Sequence, residues 1–165
     1  ALAILAGEIL DAGIEEIGGR RFNLRTLSGH TACDLVILEE TSRLLVAGDL
    51  VFLDRAPTTP HAELSRWRAS LDIVASFTAD KVVPGHGPVE AGKRGMQQTR
   101  DWLAAMEDAI RSAFERGLSM NEAMSVPLPE WSSKLALARY EFERSVMHFF
   151  PKLEAGEWPR VDRRT

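Results

Sequence analysis

The chain has 165 residues, is 45% hydrophobic, and carries 24 acids against 20 bases for a formal net charge of −4. That balance suits one globular domain with a buried core, and it leaves neither a nucleic-acid footprint nor a polybasic membrane patch. No run approaches the roughly 20 apolar residues of a membrane span, and the lone cysteine, Cys33, excludes an internal disulfide.

The opening Ala1-Leu2-Ala3-Ile4-Leu5-Ala6 is apolar but short. It lacks a basic flank and is interrupted by Glu8, so it does not read as a signal peptide. The first residue is not Met, and the sequence is expected to be a processed product or a piece of a longer chain. Residues 1–12 read as a short helix or lead-in. Gly18-Gly19 is a hairpin dipeptide, and the alternation of Phe22 and Leu24 with Asn23 and Arg25 predicts a half-buried strand over 21–27. Ser28-Gly29 then turns the chain and delivers His30. Residues 34–47 read as a hairpin of two buried strands that ends at Gly48-Asp49.

Pro57 and Pro60 punctuate a loop, after which Leu64, Trp67, Leu71, Val74 and Phe77 recur at three and four residues and predict a helix over 61–77. Residues 81–83 read as a short strand stopped by Pro84. Beyond it, Trp102, Met106, Ile110 and Phe114 predict a helix over about 91–117, with Gly117 as its stop. Residues 120–124 add a turn, and Pro127 and Pro129 mark a linker. A last helix is expected from a Ser132 or Ser133 cap to about Phe149, with Leu135, Ala138, Phe142, Val146 and Phe149 facing inward and Pro151 ending it.

Three phrases carry chemistry: Ser28-Gly29-His30-Thr31, Val46-Ala47-Gly48-Asp49-Leu50 and Val82-Val83-Pro84-Gly85-His86-Gly87-Pro88. Each places a metal-competent side chain at a glycine-bearing turn beside an apolar run. Neighbouring strand ends of one sheet share a rim, so His30, Asp49 and His86 are expected to meet as metal ligands. Imidazole nitrogen and carboxylate oxygen both bind zinc at about 2.0–2.2 Å, and a carboxylate between two imidazoles can bridge two ions.

These phrases resemble the later metal-binding motifs of the metallo-β-lactamase superfamily, in the same order and with matching separations, over about residues 13–90. The resemblance implies that His30 completes a first zinc site, Asp49 bridges both metals and His86 binds the second. It implies an α/β chain, the C-terminal half of an αββα sandwich, with a mostly antiparallel sheet, covering helices and a C-terminal helical extension. The half-domain is expected over 1–125 and the extension over 126–165. The superfamily's first motif, His-x-His-x-Asp-His, is absent, so the chain offers three ligands for up to two zinc ions, and this chain alone is not expected to catalyse. The reaction implied for the whole protein is attack by zinc-held hydroxide on an ester, lactone, thioester or amide carbonyl of a small molecule, with Asp49 orienting the nucleophile. A single iron serving persulfide oxidation is the alternative that the donor set leaves open.

A narrower resemblance runs through 50–61 and 137–148, which look like the SoxH-related quinoprotein relay system zinc metallohydrolases. These are generally exported, so a periplasmic location is what the likeness implies. Thr31 either orients the site by a hydrogen bond or simply favours the turn. Cys33 is expected to be a small buried side chain. Asp54 and His61 read as loop polarity and helix capping near the pocket mouth, and His148, Trp67 and Trp102 as packing. A half sandwich leaves the inner face of its sheet bare, so the chain is expected to self-associate or to pair with a missing N-terminal half.

Overall fold

A computed structural model describes residues 12–158. The reading of a helix over 1–12 therefore lies almost wholly outside the described residues, and the first described strand begins at Gly13. Among the described residues five strands form one sheet: β1 (Gly13–Ile17), β2 (Arg20–Leu27), β3 (Asp34–Glu39), β4 (Leu44–Phe52) and β5 (Lys81–His86), lying side by side in chain order. The pairs β1–β2, β2–β3 and β3–β4 are antiparallel, and β5 joins β4 in parallel. A parallel neighbour requires a crossover, and α1 (Leu64–Ser76) supplies it. Then come α2 (Arg94–Glu115), α3 (Met120–Met124) and α4 (Ala138–Glu154).

Register decides which face is core. Paired residues share a face of a sheet. Val36, Leu38, Leu45, Ala47 and Val82 point to the helices and join one apolar cluster with Trp67, Leu71, Trp102, Met106, Phe142, Val146 and Phe149. The other face carries Leu24, Leu35, Ile37, Leu44, Val46 and Val83. Leu35 is 49% exposed there and Val46 37%. Among the described residues the sheet thus has one helical layer, as expected of half a sandwich, and one largely apolar face that no described helix covers.

Several boundaries differ from the sequence reading. β4 does not stop at Gly48-Asp49 but runs on to Phe52, because Gly48 takes a left-handed φ of 54° and absorbs a register shift against β5. β5 runs through Pro84 to His86; it lies at the sheet edge, where a missing N–H costs no ladder bond. α1 starts at Leu64 rather than His61, because the Glu63 side chain accepts from Ser65 N and caps it there. Phe114 is 37% exposed, while Ala113 beside it is buried.

The last helix departs most. Ser132 and Ser133 turn their hydroxyls back onto the carbonyls of Pro129 and Glu130, which makes a 3₁₀ turn over Glu130–Lys134 instead of a cap. α4 begins after Leu137, at a φ of 61°. Pro151 lies inside the helix, which continues to Glu154. Cys33, expected in the interior, is exposed: it belongs to the turn over 30–34, where its backbone N–H donates to the Thr31 hydroxyl at 3.2 Å.

Candidate functional site

His30 sits in the loop between β2 and β3. Gly29 lets that loop press on α1: a Cβ there would lie 2.3 Å from Trp67 Cα, which no side chain allows. Gly29 O accepts from Glu63 N at 2.8 Å, fixing the loop to the helix start. Asp34 anchors the other side by accepting from the backbone N–H groups of His30 and Thr31 at 3.1 Å. The Thr31 hydroxyl donates to Asp34 Oδ1 at 2.7 Å, so Thr31 touches the turn and the acid beneath it. The His30 ring stands edge-on to Trp67 at 5.2 Å, and its side chain is 15% exposed. Burial pushes its pKa below the usual imidazole value, partly offset by Asp49 and Asp34, and His86 and His61 push it further down. A neutral ring is the form that can ligate a metal.

Asp49 follows the Gly48 kink in β4. Its carboxylate reaches the rim only because β5 passes with no side chain at residue 85. A Cβ on Gly85 would stand 1.8 Å from Asp49 Oδ1. One residue later, His86 stacks on Phe52 with centroids 5.0 Å apart and planes at 26°. Its carbonyl accepts from Leu53 N at 2.9 Å. On its outer side, Arg55 Nη1 lies 3.2 Å from His86 Nδ1, and Arg55 Nη2 reaches the buried Glu141 carboxylate at 3.4 Å.

The structure thus brings the three sequence-nominated side chains to one rim, with Asp49 between the imidazoles. His30 Nε2 is 3.9 Å from Asp49 Oδ2, and His86 Nε2 is 3.7 Å from Asp49 Oδ1. Neither distance is a hydrogen bond. Two donors about 2.1 Å from a tetrahedral zinc stand about 3.4 Å apart, so each pair would have to close by a few tenths of an ångström to share an ion. The three do not close into one cage: among the described residues no group of three or more His, Cys, Asp or Glu could hold an ion. What the rim does show is one imidazole turned toward each oxygen of the Asp49 carboxylate. Asp54 stays outside, paired with Arg94 at 2.8 Å. His148 is bonded to Lys152 at 2.9 Å. A cavity of about 210 Å³ opens elsewhere, lined by Glu63, Glu107, Phe149, Lys152 and Trp158 among others.

Comparison with known proteins falls on the same stretch. Residues 6–86 match the model of the metallo-beta-lactamase superfamily, up to and including His86. A metallo-beta-lactamase family protein from Thermus thermophilus superposes with a TM-score of 0.56 over 93% of this chain and 50% of its own, at 20% identity. The chain carries part of a metallo-β-lactamase fold. The metallo-beta-lactamase from Pontibacter korlensis gives a TM-score of 0.52 at 24% identity, covering 58% of this chain and 47% of its own. A linear primary-alkylsulfatase from Pseudomonas sp. (strain ATCC 19151) is 24% identical over 154 residues, which cover 85% of this chain and 29% of that protein. The chain therefore spans about half the length of the solved structures, and less of the alkylsulfatase.

Within this metallo-β-lactamase-like sheet, sequence reasoning missed the supports of the two histidines. Asp34 had a local signal, a carboxylate four residues after His30 in a turn. Arg55 and Glu141 had none, since 86 residues separate them. Their meeting joins the segments 50–61 and 137–148. Ala56 N donates to Ala136 O at 3.0 Å, Arg144 Nη1 to the Thr58 hydroxyl at 3.1 Å, and Thr59 and Ser145 share a bond of 2.6 Å between hydroxyls.

Proposed function

We propose that this chain supplies the carboxylate-bridged half of a metal-dependent hydrolase site, with His30 and His86 as imidazole ligands and Asp49 shared between them. The observation that carries the reading is the placement of one imidazole nitrogen near each oxygen of Asp49, at 3.9 and 3.7 Å, in a fold whose family model ends on His86. When bound, zinc would supply an acidified water and a Lewis acid for a polarised carbonyl. The residues themselves do the rest. Burial and Trp67 hold the His30 ring neutral and fixed, Phe52 stacks the His86 ring, and Asp49 offers a carboxylate that can orient a water between them. Further ligands would come from the part of the fold that this chain does not span.

The substrate class is a small molecule with a hydrolysable ester, lactone, thioester or amide bond, and the matched alkylsulfatase adds sulfate esters to that set. The kinship with quinoprotein relay system hydrolases, and the periplasmic location that goes with it, rest on the two segments that pack together around Arg55 and Glu141. The test is metal retained per chain after dialysis against zinc. Asp49→Ala should lose it and His61→Ala should keep it; equal retention by both would overturn the assignment.

The sheet's exposed apolar face favours a second reading, in which the chain binds its missing half or a second copy. Leu35 and Val46 stand 49% and 37% exposed among apolar neighbours. Sedimentation at micromolar concentration should show self-association, and a monodisperse monomer would remove this reading.

A further inference from the structure

The two imidazoles that flank Asp49 are held from behind by groups of opposite charge, and the difference fixes where a proton sits. Behind the His30 ring stands a carboxylate: Asp34 Oδ1 is 4.0 Å from Nδ1, while Nε2 faces Asp49. At 4.0 Å this is not a hydrogen bond, but a carboxylate on that side favours a proton on the far nitrogen and leaves the near nitrogen its lone pair. At His86 the far nitrogen, Nδ1, meets the Arg55 guanidinium at 3.2 Å. A guanidinium has five N–H donors and no acceptor, so in this contact Nδ1 must accept. A neutral ring then carries its proton on Nε2, the nitrogen that faces Asp49 Oδ1.

We propose that Arg55 is a positioning residue that holds His86 in the Nε2–H tautomer, so that a cation can bind His86 through Nε2 only by displacing Arg55 from Nδ1. This rests on the reading of His86 as a ligand and deepens it: the His30 half-site stands ready, and the His86 half-site is closed by a cation the chain provides itself.

The contacts of Arg55 suit such a displaceable group. Its hold on Glu141 is long, at 3.4 Å, and its Nε is buried with no acceptor among the described residues. It has donors to spare where it stands. Glu141 is 1% exposed and keeps Arg144 on its other oxygen at 3.2 Å, so it remains charge-paired whether or not Arg55 leans on His86. The backbone under Arg55 is fixed: Ala136 N donates to Asp54 O and Ala56 N to Ala136 O, both at 3.0 Å. Release is therefore a swing of the side chain about a pinned backbone, and α4 becomes part of the site's control through Glu141.

Long-range ¹H–¹⁵N correlation on the unsubstituted, metal-free chain reads the tautomer directly. The expected result is a protonated Nε2 and an unprotonated Nδ1 for His86; a protonated Nδ1 would overturn the proposal. Zinc titration followed by calorimetry supplies the second arm. Arg55→Met should bind zinc about tenfold tighter than the unsubstituted chain, the scale on which outer groups tune metal sites, and His86→Ala should erase that gain. Equal or weaker binding by Arg55→Met would contradict the proposal. A chain that takes up no zinc in any form would fail the ligand reading instead, and the tautomer measurement would still decide the role of Arg55.

Discussion

His30 and His86 are the same chemical group, at nearly the same distance from the same carboxylate, yet the molecule treats them differently. His30 is 15% exposed, wedged against Trp67 and backed by Asp34. His86 is 38% exposed, laid flat on Phe52 and backed by Arg55. One arm is built into the layer between sheet and helix, and the other hangs at a sheet edge under the control of a distant helix. A donor set nominated by residue type alone hides this, because affinity depends on what orients each ligand and on which nitrogen keeps the proton.

The contrast breaks most completely from the His30 side. Trp67 is fully buried, and its indole N–H donates to Leu50 O at 2.9 Å. Trp67→Ala should cost about 3–5 kcal/mol, the range for large aromatic truncations in a core, and should free the His30 ring; chemical denaturation and the His30 ring shifts by NMR report the two effects. Gly85→Ala should come next, at about 1–3 kcal/mol for an overpacked site. It pushes Asp49 away from both imidazoles, so zinc uptake should fall even where the fold survives. Loss of stability with unchanged zinc uptake would show that Asp49 is not the shared group.

Smaller effects sharpen the same comparison. Asp34→Asn leaves the loop in place but weakens charge-assisted bonds to two backbone N–H groups, and should cost about 1–3 kcal/mol, falling on the His30 arm alone. A control lies away from the rim, at the far ends of β2 and β3. Arg20 and Ser42 hold the Glu39 carboxyl well below its ordinary value of 4.5. The unfolded chain then binds the proton first, so the contribution of Glu39 is complete above pH 4.5 and declines as pH falls below it. Glu39→Gln should flatten that acid-side slope in denaturation curves and leave both histidine arms unchanged.

Much of the fold was legible because its signals are local. Alternation over 21–27, the glycine pair at 18–19 and the stripe through Trp67 and Leu71 each report on neighbours in sequence. The errors fall where a partner in space decides. Pro84 looks like a strand stop until β5 is known to lie at an edge, and Ser132 looks like a cap until its hydroxyl is seen to turn back on Pro129. The rim of three side chains could be nominated because glycine turns accompany each residue. The reason for Gly85 could not, since it is the carboxylate of Asp49, brought alongside by the parallel pairing of β4 with β5. Arg55 was invisible as a support because Glu141 and His86 reach it from different elements.

The central claim is that one carboxylate serves two imidazoles. Cobalt(II) titration of the chain and of the His30→Ala, His86→Ala and Asp49→Ala variants tests it most directly, with the visible ligand-field bands as readout. The account predicts that each histidine substitution removes part of the bound cobalt signal and that Asp49→Ala removes all of it. If Asp49→Ala keeps the bands of the unsubstituted chain, the carboxylate is not shared and the proposed site is wrong.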